Sequence, residues 1–507
     1  MNTFKRKALF TAVVAGLGVA GSAEAVFIAP NKTGQALLFP YYTVQNSGTN
    51  AWNTYISVVN TTSLAKAVKV RILEGRTSAE VLDFNLYLSP NDVWTAALVP
   101  SDSTDTSGGR ILTADASCTA PAIPAAGEPF RNFQYSGQAA GLGRGLDRTR
   151  EGYIEMIEMA SFDPTTDTAI AVTHVSGVPD DCSFVRVADQ TLINADADAP
   201  TGGLTGTGTL INVNNGYDAG YKPDALDAFS DVPNNVTGPG FTTPSLEEVS
   251  PPTSVVFNSG FFGGPSMDAT VYRSDFLPGS HVSAGAQALA SVFMHESIMN
   301  EYVLDTNSAS LTDWVVTQPI KSVFVDASTA APPYTNVLTA SGACEVVEFT
   351  FFDREERGAT AGGIDFSPPP PAGNPSSICW ETTVLSIRNG ASHMPTSTNS
   401  GVLGSRNATS ISITDSFQNG WARLRFTGAN ATAVGIVPDP TTSDATVFNT
   451  TTPPTVFAPN PTVFLGLPVT GFMVRTFSNG TITCASGGCQ GNYASLFDHA
   501  YTNNIAP

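Results

Sequence analysis

Residues 66–75 read KAVKVRILEG and residues 80–90 read EVLDFNLYLSP. In an extended chain, Val68, Val70 and Ile72 fall on one side of the first stretch, and Lys69 and Arg71 on the other. The second stretch puts Leu82, Phe84, Leu86 and Leu88 on one side, with Asp83 and Asn85 opposite. Side chains alternate across a strand, so this period of two predicts antiparallel strands with one apolar face and one wet face. NTYISVVNTT (53–62) precedes them, and DVWTAALVP (92–100) follows the turn residues Ser89, Pro90 and Asn91. Strands recurring about every ten residues between turn signals predict an immunoglobulin-like β-sandwich.

Working outward, GYIEMIEMA (152–160) and TAIAVTHVSG (168–177) extend the pattern. TDWVVTQPIKSVFVDA (312–327), CEVVEFTFFD (344–353), ICWETTVLSIRNG (378–390), SISITDSF (410–417), WARLRFTG (421–428) and TGFMVRTFSNG (470–480) supply strands in the second half. Stretches rich in Gly, Pro, Ser, Thr and Asp (101–127, 194–209, 232–254, 361–377 and 437–462) read as long connections. The expected fold is mainly β, with one or two antiparallel sandwich domains, long loops and one substantial helix. Within 232–254 the chain is expected to divide into an N-terminal sandwich domain, 26–245, and a C-terminal β-rich domain, 246–507.

The helix is expected over 284–304, capped by Ser283. It contains ALASVFMHESIMNEYVLD (288–305), in which Leu289, Val292, Phe293, Met299 and Val303 share a face at helical spacing. His295-Glu296 begins a zinc-protease signature, but the position four residues on is Met299, so the second imidazole is missing and no metal is expected. Glu296 and Asn300 fall within the apolar stripe and are expected to be a buried polar pair with a structural role.

NADADAP (194–200) lacks the glycine and the final glutamate of a calcium-binding loop, and FFDREERGATAGG (351–363) reads as a solvated turn. An irregular structural calcium site in such acidic loops is left open; no other cofactor is expected. There is no GxSxG elbow and no phosphate-cradling loop. Trp52, Trp94, Trp314, Trp380 and Trp421 could form a sugar platform, though each lies in or beside a strand-like run, where core packing is the commoner fate.

The first 25 residues carry Lys5, Arg6 and Lys7, then an apolar run, then Ala23-Glu24-Ala25, the pattern of a secretory signal peptide cut before Val26. Six cysteines in an exported chain predict three disulfides. Sequence order favours Cys118–Cys182, Cys344–Cys379 and Cys484–Cys489. A net charge of −20 argues against nucleic acid, and no later run is long and apolar enough to span a membrane.

GQALLFPYYTVQ (34–45), NTYISVVNTT, KAVKVRILEG and VLDFNLYLSPNDVWTA (81–96), with NEYV (300–303) and TDWVVTQP (312–319), resemble a family of uncharacterised exported proteobacterial cell-surface proteins. That resemblance implies a Gram-negative host and an envelope or extracellular location; it carries over no catalytic residue. The expected function is a non-catalytic structural or adhesive role outside the cytoplasm: periplasm, cell surface or medium. Carbohydrate binding or glycoside hydrolysis is the alternative. A surface polysaccharide, an envelope protein or a second copy of the chain are the partners left open.

Overall fold

The computed structural model describes residues 25–506 except 48–49, 105, 234–235, 239, 261–267, 280, 361–376, 390–398, 414–416, 427–434, 437–443, 450–451, 458–462 and 485–486. Strands take up 48% of the residues and helices 9%, so the fold is mainly β, with several antiparallel sheets. The expected signal peptide falls almost wholly on residues 1–24, outside the described residues.

The first half supplies β1 (Ala36–Thr43), β2 (Asn53–Asn60), β3 (Ala65–Glu74), β4 (Glu80–Leu88), β5 (Val93–Pro100), β6 (Glu151–Phe162), β7 (Leu204–Asn212) and β8 (Tyr217–Tyr221). One antiparallel sheet has the core order β1-β6-β3-β4, and the second runs β5-β2-β7-β8. The alternation read from residues 66–90 holds. Val68, Val70, Ile72, Phe84, Leu86 and Leu88 meet Ile56, Val58, Trp94, Leu98 and Leu210 of the second sheet in one apolar cluster. Each such side chain contributes about 1.5–3 kcal/mol when fully buried.

The other face of the first sheet is not wet. Lys69 is completely buried there, and β6 is buried along its whole length. Thr237 and residues 240–249, expected as a connection, lie over it. Phe241 accepts a hydrogen bond from Lys69 through its carbonyl, and Thr237 accepts one from Asn85 at 2.6 Å. The buried charges of this sheet survive because each is paired. Arg71 lies opposite Glu155 on β6 and bonds it at 2.6 Å, and it also reaches Glu80 at 2.8 Å. Lys66 meets Glu158 at 2.7 Å, Arg148 meets Glu74 at 2.7 Å, and Lys69 meets Asp83.

β7 also departs from expectation, because part of it falls in the 194–209 stretch read as a loop. Its sequence alternates Thr205-Gly206-Thr207-Gly208-Thr209. A Cβ on Gly206 would lie 2.5 Å from the Ser57 carbonyl oxygen and 2.9 Å from the Phe39 ring; one on Gly208 would lie 2.2 Å from the Tyr221 ring. The glycines therefore admit large aromatics on the inner side, while the threonines hold the strand and face outward.

The second half supplies β9 (Ser297–Val303), β10 (Leu311–Thr317), β11 (Glu348–Asp353), β12 (Thr382–Asn389), β13 (Ala408–Ile413), β14 (Asn419–Arg425), β15 (Thr470–Cys484) and β16 (Gly487–Asp498). β11-β14-β9 form the middle of one sheet, and β13-β12-β10-β15-β16 form another, in which only β12 and β13 run parallel. Trp314 and Val316 of β10 pack with Ile298, Tyr302, Phe349, Phe351 and Leu424. Val315, on the opposite face, joins Val384, Phe472 and Val474 in the cluster of the first half. Both apolar clusters thus draw on residues from either side of position 245.

Polar contacts cross the same seam. Thr382 donates its N–H to Gly75 at 2.8 Å, and the Thr317 hydroxyl donates to the Pro40 carbonyl at 2.5 Å. The Glu151 carboxylate accepts from Tyr41 at 2.9 Å and from the backbone of Arg406 and Asn407 at 2.8 and 3.1 Å.

The expected helix over 284–304 is shortened. It runs Ala284–Val292, with the Ser283 side chain accepting from Ala286 N–H at 3.0 Å as the cap. Met294–His295 then pairs with Leu467–Pro468, and β9 pairs with β14 and Ala500–Thr502. Distant strand partners override the local helical spacing. TAIAVTHVSG is corrected in the opposite sense: Asp167–Val172 is a helix capped by Thr166, and only His174–Val175 pairs as strand.

Candidate functional site

Glu296 and Asn300 lie on and beside a strand, not on a helical stripe. Glu296 sits at the bend before β9, half-buried, and its carboxylate bonds Arg425 at 2.7 Å. The Asn300 amide donates to the carbonyls of Phe497 and Asp498 at 3.1 and 3.2 Å, and to His499 Nδ1 at 3.1 Å. His499 Nε2 in turn donates to the Val315 carbonyl at 3.0 Å, so Asn300 selects the neutral tautomer with its proton on Nε2. His295 stacks on Tyr501 at 3.9 Å and bonds Asn503 through Nδ1 at 2.8 Å. Burial pushes both histidines down to about 4. Both therefore stay neutral near pH 7.

Among the described residues, no group of three His, Cys, Asp or Glu side chains could hold a metal ion. In the NADADAP stretch, Asn194 accepts from Val236 N–H at 2.7 Å, and Asp196 accepts from Thr168 N–H at 2.9 Å. Asp353 closes a turn by accepting from Arg357 N–H at 2.8 Å. Cys118–Cys182 and Cys344–Cys379 are disulfides. The side chains of Cys484 and Cys489, and with them the expected third disulfide, lie outside the described residues.

One buried cluster of strongly perturbed titratable groups was not visible as a motif. Lys321 follows β10 on the short helix Lys321–Val325 and is 1% exposed, as is Glu381; Tyr334 is 2% exposed. Lys321 Nζ, Glu381 Oε2 and Tyr334 Oη have no hydrogen-bond partner among the described residues. The ammonium lies 5.5 Å from the centre of the Tyr334 ring. Ile320, just before Lys321, is left-handed with φ 59°, a strained conformation for a β-branched residue. Burial raises Glu381 to about 8 and lowers Lys321 to about 8. The cluster can exchange a proton near neutral pH, but it is walled in.

An open groove of about 530 Å³ lies on the outer face of the second sheet. The register builds its floor in rows: Thr209 opposite Tyr55, then Ala97, then Leu112, and beside them Thr207, Ser57 and Thr95. Tyr55 is 48% exposed. Hydroxyls, methyl groups and one phenol line the groove, and no Asp, Glu, Lys, Arg or His takes part.

Of the tryptophans, Trp52, Trp94 and Trp314 are fully buried. Trp380 is half-buried beneath the Arg76 guanidinium. Trp421 is exposed on β14 and stacked on Phe352, with ring centres 4.7 Å apart.

No family model, no curated protein and no solved structure matches this chain.

Proposed function

We propose that this chain is an exported, non-catalytic adhesive or structural protein of a Gram-negative cell envelope, built on immunoglobulin-like β-sandwich units. The observation that carries this reading is the separation of chemistry from access. The strongly perturbed Lys321 and Glu381 are enclosed, whereas the open groove on the second sheet presents only neutral contact groups. Glycoside hydrolysis commonly uses two carboxylates flanking the bond to be cut, and the groove lining supplies none.

Several features support the rest of the reading. Two disulfides suit an oxidising compartment. No helix among the described residues is long and apolar enough to cross a membrane. Two antiparallel sheets feeding one apolar cluster suit a sandwich. Purified protein should be retained on intact envelope material or immobilised polysaccharide without releasing reducing sugar. Sugar release would overturn the non-catalytic reading. Recovery of the chain from the cytoplasm with its cysteines reduced would overturn the exported one.

A further inference from the structure

We infer that the groove over β2, β5 and β7 binds an uncharged polysaccharide, with a sugar ring seated against Tyr55 and its hydroxyls bonded to the surrounding serine and threonine side chains. This rests on the adhesive reading above and names the ligand class.

The first argument is charge. The protein carries −20 overall, so an open groove without a charged lining residue marks a place where charge has been kept out. The charged groups near the rim are already engaged. Lys222 bonds the Gly206 carbonyl and the Thr207 hydroxyl, both at 3.0 Å, and Asp115 accepts from Thr95 N–H at 3.2 Å. An anionic or cationic polymer would find no counter-charge on the floor.

The second argument is hydrogen bonding. The hydroxyls of Tyr55, Ser57, Thr95 and Thr209 bond nothing among the described residues. Each can donate one hydrogen bond and accept others, which suits ligand hydroxyls that do the same. Between them lie the Thr methyls, Ala97 and Leu112. A pyranose ring has this mixed character, with C–H groups on its faces and hydroxyls at its edge, and a half-exposed aromatic ring is the natural partner for the C–H face.

The third argument is backbone saturation. β2 pairs with both β5 and β7, and β7 pairs with both β2 and β8. An extended peptide adding to a sheet needs a free edge, and the groove lies over the middle of this one. The floor is also rigid, because its side chains stand on central strands. The volume falls within the roughly 300–1,000 Å³ range of small-ligand clefts, room for a short run of sugars.

The test is affinity electrophoresis of the full chain through gels containing dextran, galactomannan or alginate, with adhesion to intact Gram-negative cells measured in parallel. The expected result is retardation by a neutral polymer and not by alginate. Tyr55→Ala should weaken it at least tenfold, Thr209→Val several-fold, and Tyr55→Phe little. Trp421→Ala, on a different sheet, should leave retardation unchanged, and unaltered melting curves would show that the variants are folded. Neutral-polymer binding that survives Tyr55→Ala would overturn the groove assignment. Binding to alginate alone, or to cells without binding any polymer, would overturn the ligand class while leaving the adhesive reading in place. Binding to neither polymers nor cells would overturn both.

Discussion

Lys66 and Lys321 are equally hidden from water, yet only Lys66 touches a carboxylate. Lys66 stands near the start of β3, beside a β-bulge in β6: Ser161 lies opposite it, Glu158 comes to 2.7 Å, and Thr201 adds a bond at 2.7 Å. Lys321 stands on a short helix after a strained residue, close enough to Glu381 and Glu345 to feel their charge but in contact with neither. The difference shows what a paired strand does for a buried charge. It fixes opposite charges at contact distance and so offsets their desolvation. An irregular connection can gather the same groups without closing the contacts, and the charge is then relieved by moving a proton.

The sharpest way to break this comparison is to truncate each lysine to the same apolar side chain. Lys66→Met leaves Glu158 buried without its cation and should cost about 3–5 kcal/mol in chemical denaturation. Lys321→Met should cost far less, or stabilise, at a pH where Glu381 is protonated. Equal losses in the two variants would end the distinction.

The second expectation is a pH profile. Glu381 is raised from 4.5 to about 8, so the folded state holds its proton more tightly than the unfolded chain. Its stabilising contribution is full below pH 4.5 and is lost as pH rises towards 8. Lys321, lowered from 10.5 to about 8, has the complementary effect: its penalty below 8 is relieved as pH climbs towards 10.5. Relative to the double variant Lys321→Met/Glu381→Gln, the wild type should be least stable near pH 8. The fall from mildly acid pH to that minimum should be roughly 2–4 kcal/mol by linkage. A flat difference between the two melting profiles would place contacts around Lys321 after all.

His295 and His499 lie between these extremes, since the first is buried, the second half-buried, and both are hydrogen-bonded. Their lowered values mean that their contribution is present above pH 6.5 and lost as pH falls towards 4. The loss should be about 2–3 kcal/mol for each imidazole. Asn300→Ala removes the donor to His499 Nδ1, so NMR titration should show that histidine changing its tautomer or its pKa while His295 stays as it was. The smallest effect belongs to Glu296. Its bridge to Arg425 is partly solvated, so Glu296→Ala should cost less than about 1 kcal/mol. A larger loss in thermal melting would mean that this exposed pair behaves like Lys66 and Glu158.

The strands of residues 53–100 were legible because alternation is a local property. The cover over Lys69 and Arg71 was not, since KAVKVRILEG looks the same whether water or residues 240–249 lie above it. The helix beyond Val292 failed for the same reason. SIMNEYV carries apolar residues at spacings that suit either period, and its partners lie more than a hundred residues away, at Asn419–Arg425 and Ala500–Thr502. TGTGT was read as a connection because glycine usually breaks strands; only the facing Phe39 and Tyr221 rings explain it. Of the features named as candidate sites, the cysteines at 118, 182, 344 and 379 were readable from order alone. The groove was not, because its floor is assembled from β2, β5 and β7, brought together only by pairing.

β1 has a consequence for timing. Its eight residues, ALLFPYYT, are buried on both faces, yet Phe472, which packs on Tyr41, lies more than four hundred positions downstream. A ribosome adding about 5–20 residues per second delivers that partner only after tens of seconds. Its strand partners at Glu151–Ile157 and Asp224–Leu226 arrive earlier, but throughout that interval the Tyr41 side lacks part of its cover. A truncation that removes β15 should therefore leave the Tyr41 side of the earliest strand open and the product prone to self-association.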